Sequence, residues 1–469
     1  MYFKQIFEPK LAQYSYLIGC QKNGTAIIID PMRDVDHYFE LAKKEKLNLI
    51  AAADTHIHAD YVSGLQELAE KGLHIYASDE GDADWKYNWL KANKNYNVTF
   101  VKHGDRFSLG NIHFDILHTP GHTPEHISFM VTDGAATQDP MGILSGDFVF
   151  VGDVGRPDLL ESAAGVQGMM RPSAERLFHS LEKFKAMPEY LKVWPAHGAG
   201  SACGKALGAV PDSTVGYEVR FSSPFKYMHN VDNFVEYILD GQPEPPVYFA
   251  RMKKVNRDGI NVLGDLPKPV RMTVEEALAA KNTVILDSRM RPAYMKSHIK
   301  GSLHTPFDKS YNTVAGSYVT PEENVILFID AENVEEAVRD LVRVGVDRVI
   351  GYVTLAEVEA YLLSNKSSKI EVIHFGELAA WVDKGYQVLD VRKKTEFDID
   401  SIPGALNFAH VRLAKNLDKL PKDKNYVVHC QAGARAGAAV SYLEAKGYTV
   451  VAVDDAFQTY QMLREEVAG

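Results

Sequence analysis

The chain has 469 residues, of which 46% are hydrophobic and 24% are charged, with a formal net charge of -11. This length accommodates about three domains of ordinary size, and the composition is that of a globular protein. The acidic balance, without a long run of Lys or Arg, argues against binding to nucleic acid or to an anionic membrane. Any anionic substrate must therefore be held by local cations.

The lack of targeting signals in the sequence and its few scattered cysteines both predict a cytoplasmic protein. No apolar run approaches the roughly 18 residues of a membrane span, and residues 1–9 lack the zones of a signal peptide. The three cysteines, Cys20, Cys203 and Cys430, are too few and too scattered for a disulfide framework or a cysteine-based zinc cluster. We therefore expect reduced thiols, and we interpret Cys20 as a small packed residue.

The N-terminal half alternates predicted strands and helices. Residues 14–31 have the pattern of a β-hairpin whose second strand is buried on both faces. Residues 37–46 are predicted as a helix and residues 47–53 as a strand. This alternation predicts an α/β layered domain up to about residue 235.

Metal-binding residue types follow predicted strands at four places in this domain. The first is a His-X-His-X-Asp run after the strand at 47–53, and the other three each lie just past a short apolar run. Their occurrence in this order favours one metal site over isolated structural histidines. The residues concerned are His56, His58, Asp60, His122, Asp147 and His197.

The order of these motifs resembles that of the metallo-β-lactamase fold superfamily over the N-terminal half of the chain. The resemblance implies an αββα sandwich with metal bound where the loops of the two sheets meet. Hydrolases of this superfamily that hold two zinc ions usually carry His directly after the Asp60 position, whereas this chain has Tyr61. A phenol is a poor ligand for a divalent ion at neutral pH, so the second metal site is expected to be weak.

A single metal ion with two of these histidines and one aspartate as ligands would have the facial arrangement that leaves positions open on non-haem Fe(II). The runs at residues 145–159 and 194–205 resemble persulfide dioxygenases, especially multidomain forms fused to rhodanese modules. The resemblance implies one Fe(II) per chain. The iron ligands would be His56, His122 and Asp147, surrounded by His58, Asp60 and His197.

Two residues near these runs have open roles. Arg156 could bind a carboxylate of a thiol carrier, or it could form a structural salt bridge. Cys203 lies on a glycine-rich loop beside a lysine, so we expect a lowered pKa and a thiol able to accept or relay sulfane sulfur. A small packed thiol also fits such a loop.

A connecting segment and an internal repeat follow. Proline-rich stretches mark residues 236–269 as a linker, after a helical piece near 233–239 that is expected to dock on the first domain. Beyond it, residues 284–289 match 387–392, and residues 298–303 match 401–406, both 103 positions apart. We predict domains at 1–235, 270–366 and 370–469, the last two being doubly wound α/β repeats.

The second repeat carries a Cys-X4-Arg loop, Cys430 to Arg435, after a predicted strand. Backbone N–H groups of such a loop and of the helix after it favour a thiolate and then a persulfide, and Arg435 could hold an anionic donor such as thiosulfate. The loop resembles the rhodanese family of sulfurtransferases; a phosphatase-like loop is the alternative, although it usually spaces Cys and Arg one residue wider. Asp330 stands at the nucleophile position of the first repeat, which is therefore predicted to be catalytically silent.

These features predict a persulfide dioxygenase that oxidises a low-molecular-weight thiol persulfide with O₂ to sulfite, coupled to rhodanese sulfurtransfer that forms or uses thiosulfate. The resemblance also implies a role in sulfide detoxification and a homo-oligomer. Two alternatives stay open. One is a zinc thioester hydrolase of the glyoxalase II kind fused to rhodanese, and the other is a sulfane-sulfur carrier whose N-terminal half is only a scaffold.

Overall fold

Two six-stranded sheets form the centre of residues 1–264, the first of two units in the computed structural model, which describes residues 1–163 and 167–468. In spatial order the first sheet contains β1 Tyr2–Glu8, β2 Gln13–Cys20, β3 Thr25–Ile29, β4 Asn48–Ala53, β5 His74–Ser78 and β6 Val98–Val101. The second contains β7 Arg106–Leu109, β8 Ile112–His118, β9 Ile127–Asp133, β10 Gly142–Gly146, β11 Lys192–Pro195 and β12 Ser213–Thr214.

The predicted hairpin, helix and strand near the N-terminus are confirmed. Strands β2 and β3 pair antiparallel, and four of the five residues of β3 are buried. The helices of the first unit are α1 Asp36–Lys44, α2 Leu65–Glu70, α3 Asn88–Ala92, α4 Leu159–Ser162, α5 Met170–Lys185, α6 Val215–Phe221, α7 Val231–Leu239 and α8 Phe249–Asp258. Short 3-10 helices occur at Ala83–Trp85 and Ser223–Tyr227.

Three hydrophobic cores hold these layers together. One core contains apolar side chains from both sheets, including Ile27, Phe114 and Phe129, and lies between them. A second covers the other face of the first sheet with side chains of α1 and α2. The third covers the second sheet with side chains of α5 and α7. The order helix, sheet, sheet, helix confirms the predicted αββα sandwich.

The segment predicted as a linker is ordered up to residue 264 and belongs to this unit. It contains α8, which packs against α3, and Trp89 of α3 donates from its Nε1 to the carbonyl of Asn256 at 3.1 Å. The sequence pattern did not predict this helix, because the proline-rich stretches on either side of it indicated a linker. Its position matters because α8 contacts the loop that carries the first metal-binding motif.

Residues 265–469 contain two five-stranded parallel sheets with the same strand order, which confirms the tandem repeat. In spatial order these are β13 Val270–Arg271, β17 Val349–Val353, β16 Asn324–Phe328, β14 Thr283–Asp287 and β15 Leu303–His304, then β18 Glu371–Ile373, β22 Val450–Val453, β21 Tyr426–His429, β19 Gln387–Asp390 and β20 Leu406–Asn407. The matched strands end in Asp287 and Asp390, the pair that revealed the repeat.

Helices cover both sheets of the second unit. They are α9 Val274–Ala279, α10 Arg291–Lys296, α11 Tyr311–Tyr318, α12 Val334–Arg343, α13 Leu355–Ser364, α14 Leu378–Asp383, α15 Lys394–Ile399, α16 Ala434–Ala445 and α17 Phe457–Ala468. Further 3-10 helices span Ala331–Asn333, Phe375–Glu377, His410–Arg412 and Ala414–Lys419. Residues 164–166 and 469 lie outside the described residues. Across residues 1–163 and 167–468, no helix has the length and apolar character needed to cross a bilayer.

Candidate metal centre and cysteine loop

Three of the metal-binding residues meet at one end of the sandwich. His56 lies after β4, His122 after β8 and Asp147 after β10, and all three are buried. Asp147 Oδ2 lies 3.8 Å from His56 Nε2 and 3.4 Å from His122 Nε2. Donor atoms bound to one ion at about 2.1 Å lie about 3 to 3.5 Å apart, so the spacing is close to that of a metal site.

The hydrogen bonds of His56 decide which of its ring nitrogens carries a proton. Thr55 Oγ1 lies 3.1 Å from Asp30 Oδ2 and 2.9 Å from His56 Nδ1. An ionised carboxylate only accepts, so the single hydroxyl proton of Thr55 goes to Asp30 and the hydroxyl accepts from His56 Nδ1–H. His56 Nε2 is therefore left with a lone pair.

The other two candidate ligands are oriented in the same way. His122 Nδ1 donates to the carbonyl of Arg156 at 3.0 Å, which leaves its Nε2 without a proton. Asp147 accepts from His197 Nδ1 through Oδ1 at 2.8 Å, and its Oδ2 is free. Among the described residues, His56 Nε2 and Asp147 Oδ2 are buried atoms without a hydrogen-bond partner.

Three electron-rich atoms thus converge in a buried space with no proton between them. Burial would raise the pKa of Asp147, but His197, His122 and His56 together lower it well below its ordinary value, so the carboxylate is ionised. Burial also lowers the pKa of both His56 and His122, which keeps the imidazoles neutral. Unpaired buried acceptors are costly, and a cation relieves that cost, so these residues fit a metal ion.

Backbone and side-chain contacts fix Asp147 in place. Its N–H donates to His126 Nε2 at 3.1 Å. Gly146 before it has φ of 56°, and a Cβ there would lie 2.6 Å from both His126 Nε2 and Thr55 Oγ1. Glycine is therefore required at the end of β10, directly before Asp147.

His197 lies between two carboxylates beside this centre. Its Nδ1 bonds Asp147 Oδ1, and its Nε2 bonds Asp60 Oδ2 at 2.8 Å. Although burial opposes protonation, the two carboxylates raise the pKa of His197 well above its ordinary value. Both nitrogens donate in this arrangement, and the ring orients Asp147 through the bond to Oδ1.

Cys203 does not have the environment that we predicted for it. Its thiol lies close to side-chain atoms of Asp60 and His197. Burial, and then the negative charges of Asp60 and Asp147, raise the pKa of the thiol well above its ordinary value. Lys205 points away and donates to the carbonyls of Tyr237 and Asp240. The expected lowering of the pKa is therefore wrong, because the carboxylates that face the thiol come from distant segments.

His58 and Tyr61 point away from the three converging atoms. His58 Nε2 pairs with Asp30 Oδ1 at 3.2 Å, and Asp54 completes a buried group of three. The hydroxyl of Tyr61 accepts from Gln13 Nε2 at 3.0 Å. The phenol thus occupies a hydrogen-bonded position in the core.

Arg156 has the structural role that was the alternative to substrate binding. It is 1% exposed and forms a bidentate pair with Asp158 at 2.7 and 2.6 Å. It also donates to the carbonyls of Ala202 at 3.0 Å and Pro243 at 2.7 Å. These contacts occupy the guanidinium, so of the two roles left open for Arg156 the structure favours the salt bridge.

Asn256 of α8 is a residue that the sequence did not reveal. Its Nδ2 donates to the carbonyls of His58 at 2.8 Å and Tyr61 at 2.7 Å, and its Oδ1 accepts from the N–H of Ser63 at 2.9 Å. A single buried side chain therefore holds the C-terminal part of this loop, from His58 to Ser63. Its only sequence signal is an asparagine inside a short helix, which has no distinguishing pattern.

The cysteine loop lies at the end of β21 and leads into α16. Cys430 is 2% exposed. Arg435 in the first turn of α16 donates from both terminal nitrogens to Glu396 at 2.5 and 2.7 Å. An anionic donor would therefore share this guanidinium with a carboxylate that the sequence analysis did not identify.

The first repeat contacts this loop through Arg291. Its Nη1 donates to the carbonyl of Ala432 at 3.2 Å, and its Nη2 pairs with Asp454. Gly433 has φ of 81°, and a Cβ there would lie 2.2 Å from Arg291 Nη1. The first repeat thus packs directly against the backbone of the Cys430 loop, while its own loop begins with Asp330 and continues into a 3-10 helix.

Comparison with known families places these two sites in separate matched regions. The Metallo-beta-lactamase superfamily profile matches residues 9–197, and the Rhodanese-like domain profile matches residues 272–354 and 375–462. The first range contains the three converging residues. The second pair of ranges contains the Asp330 loop and the Cys430 loop.

Individual relatives include a persulfide dioxygenase and a hydroxyacylglutathione hydrolase. The chain is 28% identical over 200 residues to "Persulfide dioxygenase ETHE1, mitochondrial" of Bos taurus, which covers 41% of this chain and 67% of that protein. It is 30% identical over 189 residues to a hydroxyacylglutathione hydrolase of Francisella tularensis subsp. novicida (strain U112), which covers 40% of this chain and 63% of that protein.

One solved structure is similar over a larger share. The crystal structure of a metallo-beta-lactamase from Staphylococcus aureus subsp. aureus COL is 41% identical, with a TM-score of 0.67, and covers 76% of this chain and 99% of that chain. Residues 1–264 alone could not supply that share, so the likeness extends into the second unit.

Proposed function

Since the chain belongs to the metallo-β-lactamase superfamily and carries two rhodanese-like domains after that fold, we propose that it is a persulfide dioxygenase with sulfurtransferase activity. One ferrous ion per chain would be held by His56, His122 and Asp147. The observation that carries this proposal is the convergence of two unprotonated imidazole nitrogens and one free carboxylate oxygen. When bound by these three residues, a ferrous ion would supply coordination positions for O₂ and for a sulfur.

The surroundings of these ligands support one metal ion over two. Tyr61 replaces the imidazole usual in binuclear hydrolases, and its hydroxyl is bonded to Gln13. In this arrangement both ring nitrogens of His197 donate hydrogen bonds, one to Asp147 and one to Asp60, so neither has a lone pair for a second ion. Residues around the proposed ligands, His58, Asp60 and His197, would then orient them and tune their basicity.

The overall reaction balances without another reductant. A persulfide R–S–SH, one O₂ and one water give the thiol R–SH, sulfite and two protons. The buried side chains around the site would exclude water from the substrate sulfur.

At the second site, Cys430 would take the outer sulfur of thiosulfate. The thiolate attacks that sulfur, a new S–S bond forms on Cys430, and sulfite leaves with the electron pair of the old S–S bond. The reverse reaction transfers sulfane sulfur to sulfite and forms thiosulfate. Arg435 would bind the sulfonate end of the donor, in competition with Glu396.

Oxygen consumption tests the first activity. Purified wild-type protein should consume O₂ when given glutathione persulfide, and His122→Ala should reduce the rate at least 100-fold. His118→Ala is a matched control, because His118 is half-buried and its Nε2 bonds the carbonyl of Pro124 at 2.8 Å; it should stay within threefold of wild type. Cys203→Ser would lower coupled thiosulfate formation if Cys203 relays sulfur, and would leave it unchanged if the thiol only packs.

A thioester hydrolase is the second candidate, favoured by the similarity to hydroxyacylglutathione hydrolase over the metal-binding half. It predicts two bound zinc ions, hydrolysis of S-lactoylglutathione and no uptake of O₂. A sulfane-sulfur carrier predicts instead that His122→Ala changes neither oxygen consumption nor sulfurtransfer. Either result would contradict the dioxygenase proposal.

A further inference from the structure

A small pocket in the first unit opens beside the proposed metal ligands. Its cavity volume is about 10 Å³, within about 310 Å³ of free space that includes the open solvent at its mouth. The residues that matter for its chemistry are Ile57, Trp85, His122, Thr123, Phe249 and Lys253. His122 connects the pocket to the metal centre, while Lys253 comes from α8. A molecule with its sulfur at the metal would therefore extend toward α8.

Lys253 is a cationic residue in a pocket that is otherwise lined mostly by apolar side chains. Its ammonium lies 3.6 Å from the centroid of the Trp85 ring, and the side chain is partly buried. Among the described residues, its ammonium forms no hydrogen bond and no ion pair with any carboxylate. A partly desolvated cation that is held by an aromatic face but has no counter-ion is poised to receive an anion.

Among the described residues, Glu125 is the carboxyl group with the largest effect on the pKa of Lys253, although the two form no ion pair. Glu125 is fully buried, and its Oε1 accepts from the N–H of Ile57 at 2.7 Å and from Thr123 at 3.1 Å. Burial raises the pKa of Glu125 to about 7, so its charge is only partly developed near neutral pH. Asp82 and Asp84 are exposed and act on Lys253 from a distance.

We propose that Lys253, held over Trp85, is the subsite that binds the acidic group of the thiol carrier whose persulfide sulfur lies at the metal. This inference rests on the proposed function and names its substrate class: an anionic low-molecular-weight thiol persulfide. The chain has a net charge of -11, so a local cation is what an anionic substrate needs here. The apolar wall around Phe249 would bind the part of the carrier between the sulfur and the acid.

Binding of unreactive analogues to the full chain tests the subsite separately from catalysis. Isothermal titration calorimetry would use S-methylglutathione, its dimethyl ester and S-methyl-coenzyme A. We expect Lys253→Met to weaken binding of S-methylglutathione, of S-methyl-coenzyme A or of both at least tenfold, and to leave binding of the ester unchanged. Lys253→Arg should restore most of the lost affinity. Lys254→Met, on the exposed face of the same helix, is the matched control and should bind like wild type.

The two acidic analogues distinguish a carboxylate from a phosphate. A loss confined to one of them identifies which acid Lys253 binds, and both results support the subsite. Equal affinity of wild type and Lys253→Met for both acids, or no binding of either acid to wild type, would overturn it. With glutathione persulfide as substrate, the variant should show a raised KM and a kcat within twofold of wild type. If wild type consumes no O₂ but the binding difference holds, the dioxygenase proposal fails and the subsite stands.

Discussion

Replacing Asn256 with Ala should release the metal-binding loop from α8. The substitution removes two hydrogen bonds to the carbonyls of His58 and Tyr61 and one from the N–H of Ser63. Asn256 is 5% exposed, so these backbone groups lose their partner inside the protein. Each buried group left unsatisfied costs about 1 to 3 kcal/mol, so the loop should lose at least about 3 kcal/mol of local stability.

Hydrogen exchange of the intact chain measures this loss directly. An opening free energy lower by about 3 kcal/mol corresponds to exchange faster by about 100-fold, which should be seen at the amide of Ser63. Asn88→Ala removes the exposed bond between Asn88 and Asp258, at 2.9 Å in the same α3–α8 contact, and is the control. It should change exchange of the loop by less than threefold. Equal protection of Ser63 in wild type and Asn256→Ala would refute the claim that this side chain holds the loop.

Three further predictions concern the second unit. Cys430→Ser should abolish thiosulfate–cyanide sulfurtransfer and leave oxygen consumption within twofold; joint loss would contradict two separate sites. Arg291→Ala should lower the kcat of sulfurtransfer about tenfold, since losing one charge-assisted hydrogen bond costs about 1.5 kcal/mol, and an unchanged kcat would show that the Ala432 contact is dispensable. Burial lowers the pKa of His304 to about 4, so the unfolded chain binds more protons between pH 6.5 and 4 and acid destabilises the fold by about 2 kcal/mol at pH 5. Hydrogen exchange of the most protected amides of residues 265–469 measures the free energy of unfolding. Between pH 7 and pH 5 this free energy should fall by about 2 kcal/mol less in His304→Gln than in wild type, whereas an equal fall would assign the effect to other groups.

The layered fold was predictable because its signals are local. Alternating strands and helices, each bounded by turns, predicted the sandwich, and the repeated Asp at 287 and 390 predicted two matching sheets. The positions of His56, His122 and Asp147 after strands were likewise visible in the sequence. The ends of β4 in the first sheet and of β8 and β10 in the second meet at one end of the sandwich, and the structure brings these three residues within reach of one ion.

What the sequence could not provide are contacts between distant segments. The role of Arg156 depends on Asp158 and on two carbonyls, one of them 87 residues away. The pKa of Cys203 depends on its burial and then on Asp60, far along the chain. Asn256 and Lys253 lie in a segment whose composition indicates a linker, and only its packing against the metal-binding loop gives them a role.

The proposed dioxygenase activity requires a single iron ion held by two neutral imidazoles and one carboxylate. Metal analysis of wild-type protein from cells supplied with both iron and zinc, combined with electron paramagnetic resonance after nitric oxide is added to the reduced protein, tests it most directly. We expect one iron per chain and the spin-3/2 signal of a ferrous nitrosyl, both lost in His122→Ala. Two metal ions per chain, or one zinc ion and no such signal, would contradict it.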